Sequence, residues 1–527
     1  MKKLTTIAAA VALLAACNNP QVPTDYTQSN ELPKIYPDYT EVTIPVNMAP
    51  LSFELDEAAD ELVARYAVDG QEIVCGGDKA QPGVDDWQLL ADKAKGRAIS
   101  VDVYARHDGQ WTRYKPFNIY VSTDSIDPYL SYRLISPSYI TYEELTISQR
   151  CLESYDESVI YDNQLCSFEK TGQCINCHNY QQYNPDRMQF HARQFNGGTV
   201  ITYDGKVRKI NMRNDSILSA GVYPTWHPWL KLIVYSTNTT HQSFHTTDLN
   251  KVEVFDGNSD LIAYDVENNE VTNIENAPDE LEVFPFWAPD GKTLYYCSAH
   301  FVHNDSVSPD IDVLNNAVEI KYNIYRKSFD PDTRRFGPRE LVFDAAALDK
   351  SATFPRVSPD GRFLMFTLGQ YGVFHIWHHD ADLWMLDLSN NENTDSTKSN
   401  LSPLSPVASL PNRSLLAIAS HLLPLKELNS DDTESYHSWS SNGRWVVFSS
   451  RRNDGNYTRP FFAHIDKDGR GTKPFELPCA DPDFHRQYMK CYNIPEFMRG
   501  PVTIKPQTFA DMLKTDGEPV KYVQQLR

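Results

Sequence analysis

The stretch Thr171-Gly172-Gln173-Cys174-Ile175-Asn176-Cys177-His178 holds the residues whose types and spacing could do chemistry. Cys-x-x-Cys-His is the attachment signature of a c-type haem. Cys174 and Cys177 would add to the two porphyrin vinyl groups, and His178 would bind the iron from one side. Met188 and His191 are the nearby candidates for the sixth ligand, with His227, His241 and His245 further along. Methionine there would give a high potential and a second histidine a lower one. Arg187 and Arg193 are candidates for charge-assisted bonds to propionates, against the plainer alternative of solvated surface.

Other chemistries stay open. Cys174, Cys177 and His178 with Cys166 or Cys151 have legitimate zinc spacing, although a His directly after the second Cys has difficulty reaching the same metal. The cysteines could also be structural, or an open iron position could serve a small-molecule redox enzyme. His375-Ile376-Trp377-His378-His379-Asp380-Ala381-Asp382 is a second run dense in metal ligands. Asp466-Lys467-Asp468-Gly469 resembles half a calcium loop and reads better as a hairpin turn. The sequence has no His-Glu-x-x-His, phosphate-binding loop or dinucleotide fingerprint.

Charge narrows the partners. With 49 basic against 70 acidic residues the net charge is −21, which opposes nucleic-acid binding. Many aromatics (29 Tyr, 24 Phe) and more Pro than Gly (33 against 23) favour short strands and turns over long helices.

Met1-Lys2-Lys3 followed by apolar Leu4 to Ala16 reads as a signal peptide, too short to span a membrane. Its end, Leu14-Ala15-Ala16-Cys17, resembles a bacterial lipobox. That resemblance implies lipidation of Cys17, with residues 17–35 as tether, and a lipid-anchored location in the cell envelope, periplasm-facing or on the cell surface. Export agrees with haem attachment, which takes place outside the cytoplasm. In an oxidising compartment Cys151 with Cys166, and Cys479 with Cys491, are disulfide candidates, each worth about 3 kcal/mol for loops of that length. Cys75 and Cys297 have no evident partner.

Residues 36–123 alternate with a period of two in Glu41–Val46, Leu51–Leu55, Ile99–Tyr104 and Phe117–Val121, the pattern of half-buried strands. A small β-sandwich with one helix near 85–95 is expected. Residues 124–195 read as a cysteine-rich connector carrying the haem motif. Four later segments align: Tyr223-Pro224-Thr225-Trp226-His227-Pro228, Phe284-Pro285-Phe286-Trp287-Ala288-Pro289-Asp290-Gly291, Phe354-Pro355-Arg356-Val357-Ser358-Pro359-Asp360-Gly361 and Tyr436-His437-Ser438-Trp439-Ser440-Ser441-Asn442-Gly443. Each is followed by two strands. The starts lie 61, 70 and 82 residues apart, the spacing of propeller blades with insertions.

The Trp/Ser-x-Pro-Asp-Gly core resembles the TolB-type, WD40-like repeat. The resemblance implies an all-β propeller of five to seven blades over 196–505, preceded by the sandwich and followed by a partly helical tail, 506–527. The strands near Thr199–Thr202 and Val207–Asn211 are expected to join text such as Pro501–Ile504 in a closing blade. The polar segment 395–410 is an inter-blade insertion. Propeller-bearing serine peptidases need a hydrolase domain with Gly-x-Ser-x-Gly; about 50 residues follow the last repeat, and the motif is absent. An electron carrier with one covalent haem c, partnered by a redox protein, is therefore expected rather than a hydrolase. The alternative is a TolB-like scaffold for a protein or glycan, with structural or zinc-binding cysteines.

Overall fold

The computed structural model describes residues 20–137, 142–166, 172–389 and 422–526. Cys17, the signal segment and the 395–410 insertion lie outside them. Among the described residues the propeller has six sheets, each built on four antiparallel strands, two of them with a fifth, parallel strand at the outer edge. Their innermost strands are Cys491–Met498, Gln173–Tyr180, Gly221–Trp226, Glu280–Trp287, Ser351–Val357 and Glu434–Trp439, which head blades 1 to 6. Each neighbours the next, and blade 6 returns to blade 1, so the ring is closed.

The turns after the inner strands bear out the reading of the repeats. Gly291, Gly361 and Gly443 have φ of 58°, 76° and 66°, and each amide closes a turn onto Ala288, Ser358 or Ser440. A β-carbon on Gly291 would also lie 2.4 Å from the Trp229 ring, so this position is doubly reserved for glycine.

Two expectations are corrected. The segment 124–195 is not a connector. Tyr129–Ile135, Thr146–Cys151 and Glu157–Asp162 are the outer three strands of blade 1, and Gln173–Tyr180 and Met188–Gln194 begin blade 2. The closing strand is Cys491–Met498, not 501–504; Gly198–Tyr203 and Lys206–Asn211 complete blade 2. The tail's helix Pro506–Leu513 buries Phe509, Ala510 and Leu513, and the strands Glu518–Pro519 and Lys521–Tyr522 extend the edges of blades 2 and 3.

The N-terminal domain has two sheets, of seven and three strands, and the helix Val84–Ala94. That helix buries Trp87, Leu90, Ala91 and Ala94, spacing that puts all four on one face. The domain shares a core with Trp445, Val447, Phe462 and Phe475 of blade 6. Asp127 fastens the join by accepting from the Ser441 amide (2.6 Å) and hydroxyl (2.7 Å).

Candidate functional site

The inner strand of each blade is interrupted at the same place. Ile494, Cys177, Tyr223, Phe284, Phe354 and Tyr436 have φ between 47° and 59°, and the strand register shifts there in every blade. These are β-bulges, which leave one residue outside the ladder. Proline follows in four blades: Pro224, Pro285, Pro355 and Pro495. It is tolerated because no ladder hydrogen bond is lost at a bulge. In the other two blades the follower is histidine, His178 or His437. Cys177-His178 is thus blade 2's version of the aromatic–proline step.

The bulged side chains form a constriction in the channel. Ring centroids of Tyr223, Phe284, Phe354 and Tyr436 follow one another at 4.7, 5.2 and 5.2 Å. Such contacts add about 0.5–1.5 kcal/mol each beyond area burial. Cys177 and Ile494 complete the circle. Below it, Arg356 bridges to Glu496 at 3.0 Å, and Ser438 donates to the same carboxylate at 3.2 Å. Above it lies a chamber of about 200 Å³, lined by Arg133, Tyr142, Cys174, Arg193, Tyr223 and Trp377 among others.

His178 and His437 behave alike. Both are fully buried, and no ring nitrogen of either makes a well-formed hydrogen bond; the polar groups they meet are backbone, of Ser131 and Ile494 for His178 and of Met365 for His437. Burial pushes both imidazoles down to about 3, helped by Arg133 beside His178 and Arg356 beside His437. His178 lies against the backbone of Ser131 and Ile494 in blade 1, and His437 against Met365 in blade 5. Each fills the seam toward the preceding blade. No Cys-x-x-Cys precedes His437, so a buried imidazole at this position occurs without the haem motif.

The three motif residues address different spaces. Cys174 lines the chamber, whereas Cys177 and His178 line the constriction, whose cavity is only about 20 Å³. Tyr223 lines both and divides them. Drug-sized ligands take about 300–1,000 Å³. In this fold the motif residues do not share a room that would take a porphyrin, and they do not fit a covalently held haem.

The proposed sixth ligands disperse. Met188 is fully buried opposite Tyr180 in the core between blades 1 and 2. His191 stands opposite Asn176, with Nδ1 3.0 Å from the Thr199 hydroxyl, and burial pushes it down to about 3. His227 is a turn residue: Nδ1 accepts from the Leu230 amide (3.0 Å) and Nε2 donates to the Gly291 carbonyl (2.9 Å). His241 stacks on Phe255, and His245 caps a strand end through its amide. Arg187 lies over the Tyr203 ring.

The zinc set is not assembled either, and among the described residues no three His, Cys, Asp or Glu side chains group as a metal site. The expected disulfides are absent: Cys151, Cys166, Cys479 and Cys491 are all free. Cys166 donates to the Ala510 carbonyl (3.1 Å), and Cys491 points to the Asn456 carbonyl (3.7 Å). In the His375–Asp382 run, His375 meets Thr353 and Tyr371, and His378 meets Glu253 at 3.2 Å. Asp466 accepts from the amides of Asp468 and Arg470 in a hairpin turn, as expected.

One cluster escaped the sequence reading. Cys479 Sγ lies 3.6 Å from His485 Nε2, and His485 Nδ1 lies 2.6 Å from Glu476. Burial alone would lower the imidazole, but Cys479 and Glu476 outweigh it and raise it to about 9. Burial would likewise raise the thiol; His485 and Arg150 outweigh it and lower it. The six-residue spacing of Cys479 and His485 was the only sequence signal.

No family model matches the chain, and no curated protein sequence does. Solved structures with similarity include a prolyl oligopeptidase B from Galerina marginata bound to a 25mer macrocyclization substrate (9% identity, TM-score 0.34, covering 66% of this chain and 44% of that one). A prolyl endopeptidase studied for inter-domain dynamics in catalysis gives 11% identity and TM-score 0.31, covering 66% and 42%. A DUF4784 family protein from Bacteroides caccae gives 9% and 0.22, covering 70% and 96%. The chain spans less than half the length of the two peptidases. The propeller assignment rests on the chain's own strand order.

Proposed function

We propose that this chain is a lipid-anchored envelope protein whose propeller is a binding scaffold of the TolB kind, with Cys174, Cys177 and His178 forming part of the channel wall. The observation that carries the reading is the register of Cys177-His178. It falls where Tyr223-Pro224, Phe284-Pro285, Phe354-Pro355, Tyr436-His437 and Ile494-Pro495 fall in the other blades. A wall position accounts for both residues without a cofactor. The lipobox supports the anchor and the compartment.

The rival is an electron carrier with one covalent haem, docking on a redox protein. Two free thiols and the ring nitrogens of His178, which make no well-formed hydrogen bond, favour it. The full chain produced in a host with haem-attachment machinery tests both readings. Intact mass should show the chain and its lipid alone, and the pyridine haemochrome spectrum should be blank. A haem mass retained on Cys174 and Cys177 would overturn the scaffold reading. Palmitate incorporation that survives Cys17→Ser would remove the anchor.

A further inference from the structure

The chamber at the Cys174 end of the channel departs from the charge of the whole molecule. The chain carries a net −21, yet no Asp or Glu is among the described residues lining this space. Two guanidinium groups reach it from different blades: Arg133 from blade 1, and Arg193 from the second strand of blade 2. Arg193 lies 3.8 Å from Cys174 Sγ and has no carboxylate within ion-pair distance among the described residues. The field of Asp256 reaches it, but that carboxylate is engaged by Asn238 (2.6 Å) and Thr240 (2.7 Å). Arg133 donates to the Ile175 carbonyl (3.3 Å), which fixes its direction.

Aromatic and apolar side chains, Tyr142, Tyr223, Phe374, Ile376 and Trp377 among them, share the lining with the polar Asn176, Thr240, His241 and Gln242. Arg451 lies 3.6 Å over the Trp377 ring and holds the indole in place. A wider cleft of about 950 Å³ between blades 2 and 3 meets the chamber at Arg193 and Thr240, which line both spaces and mark a way in. A cationic recess in an anionic molecule concentrates field lines and selects anions. A planar fork such as Arg193 matches a carboxylate with two parallel hydrogen bonds.

We propose that this chamber binds a small organic carboxylate with an aromatic or apolar body, its carboxylate on Arg193 beside Arg133 and its body against Tyr223 and Trp377. A space of about 200 Å³ admits a ligand smaller than drug size. The inference rests on the scaffold reading above. The two fail separately: a haem-loaded sample shows itself in the absorption spectrum before any ligand is added, whereas a haem-free chain blind to the probe defeats this inference alone.

The test uses phenylacetate on the full haem-free chain, read by Trp fluorescence and by thermal midpoint. Saturable quenching with a rising midpoint is expected. Arg193→Gln should weaken binding about tenfold or more, in line with loss of a charge-assisted pair. Benzylamine, the same body with a cation, should not bind. Inorganic phosphate should bind more weakly than phenylacetate, since it cannot use the aromatic wall. No binding of phenylacetate at millimolar concentration overturns the proposal. So does binding that survives Arg193→Gln, equal binding of benzylamine, or phosphate binding as tightly as phenylacetate.

Discussion

Replacing His437 with proline would give blade 6 the residue that four other blades use at the same place. Tyr436 and His437 fall in the register shift between Ser435 and Ser438, so the new ring removes no ladder hydrogen bond. Two effects follow. The first is independent of pH: a buried imidazole whose polar contact is limited to the Met365 backbone disappears, and a buried polar group left unsatisfied costs about 1–3 kcal/mol. The second depends on pH. The imidazole titrates near 3 in the folded chain, against about 6.5 when unfolded. Above 6.5 both states are neutral and the shift has no effect. As pH falls from 6.5 toward 3, the unfolded state takes up a proton that the folded state refuses, and folding is penalised by about 1.4 kcal/mol per pH unit. His437→Pro abolishes that penalty. Its stability advantage over the parent should therefore grow by about 2 kcal/mol between pH 7.5 and pH 5. Urea midpoints of both proteins across that range, with equal slopes, measure the difference. An advantage that stays constant with pH would refute the neutral, seam-filling imidazole and with it the equivalence of the histidine and proline positions.

Arg356→Ala leaves Glu496 in the channel without its guanidinium partner; removing one member of a buried pair costs about 3–5 kcal/mol, so the thermal midpoint should drop by several degrees. Arg356→Lys should recover part of that loss, and a midpoint unchanged in the alanine variant would count against the pair. His485, raised to about 9, contributes stability that is complete below pH 6.5 and is lost as pH climbs through 9. His485→Gln should accordingly lose stability at pH 6, lose progressively less at pH 10, and move iodoacetamide labelling of Cys479 to higher pH, since the imidazole that lowers the thiol is gone. Labelling at Cys479 that ignores the substitution would count against His485 as a group that lowers the thiol.

The repeats were legible wherever local chemistry forces a turn. Pro289-Asp290-Gly291 and Pro359-Asp360-Gly361 announce their blades because few other tripeptides make that reversal. Blade 1 lacked such a turn, so its strands at 129–162 merged with the cysteine text beside them. Its closing strand carries the repeat in Asn493-Ile494-Pro495-Glu496-Phe497, but isoleucine replaces the aromatic residue and no turn follows. Cys177-His178 carries two readings for the opposite reason. A motif with a specific chemical meaning coincides with the place where every blade has a bulged residue and its follower. Cysteine spacing said nothing of pairing: Cys479 and Cys491 are close in sequence, yet one faces His485 and the other Asn456.

The closing strand also sets an order of events. Ser131 and Glu496, which meet in blade 1, are 365 residues apart in the chain. The chain emerges from the ribosome with its N-terminus first. Tyr129–Ile135 must then wait with one bare edge while five further blades are made. A bare strand edge is an invitation to pair with another chain, and contacts of such high separation form slowly. The ring is thus most vulnerable just before completion, when nearly all of its core exists and its first blade still lacks an inner wall.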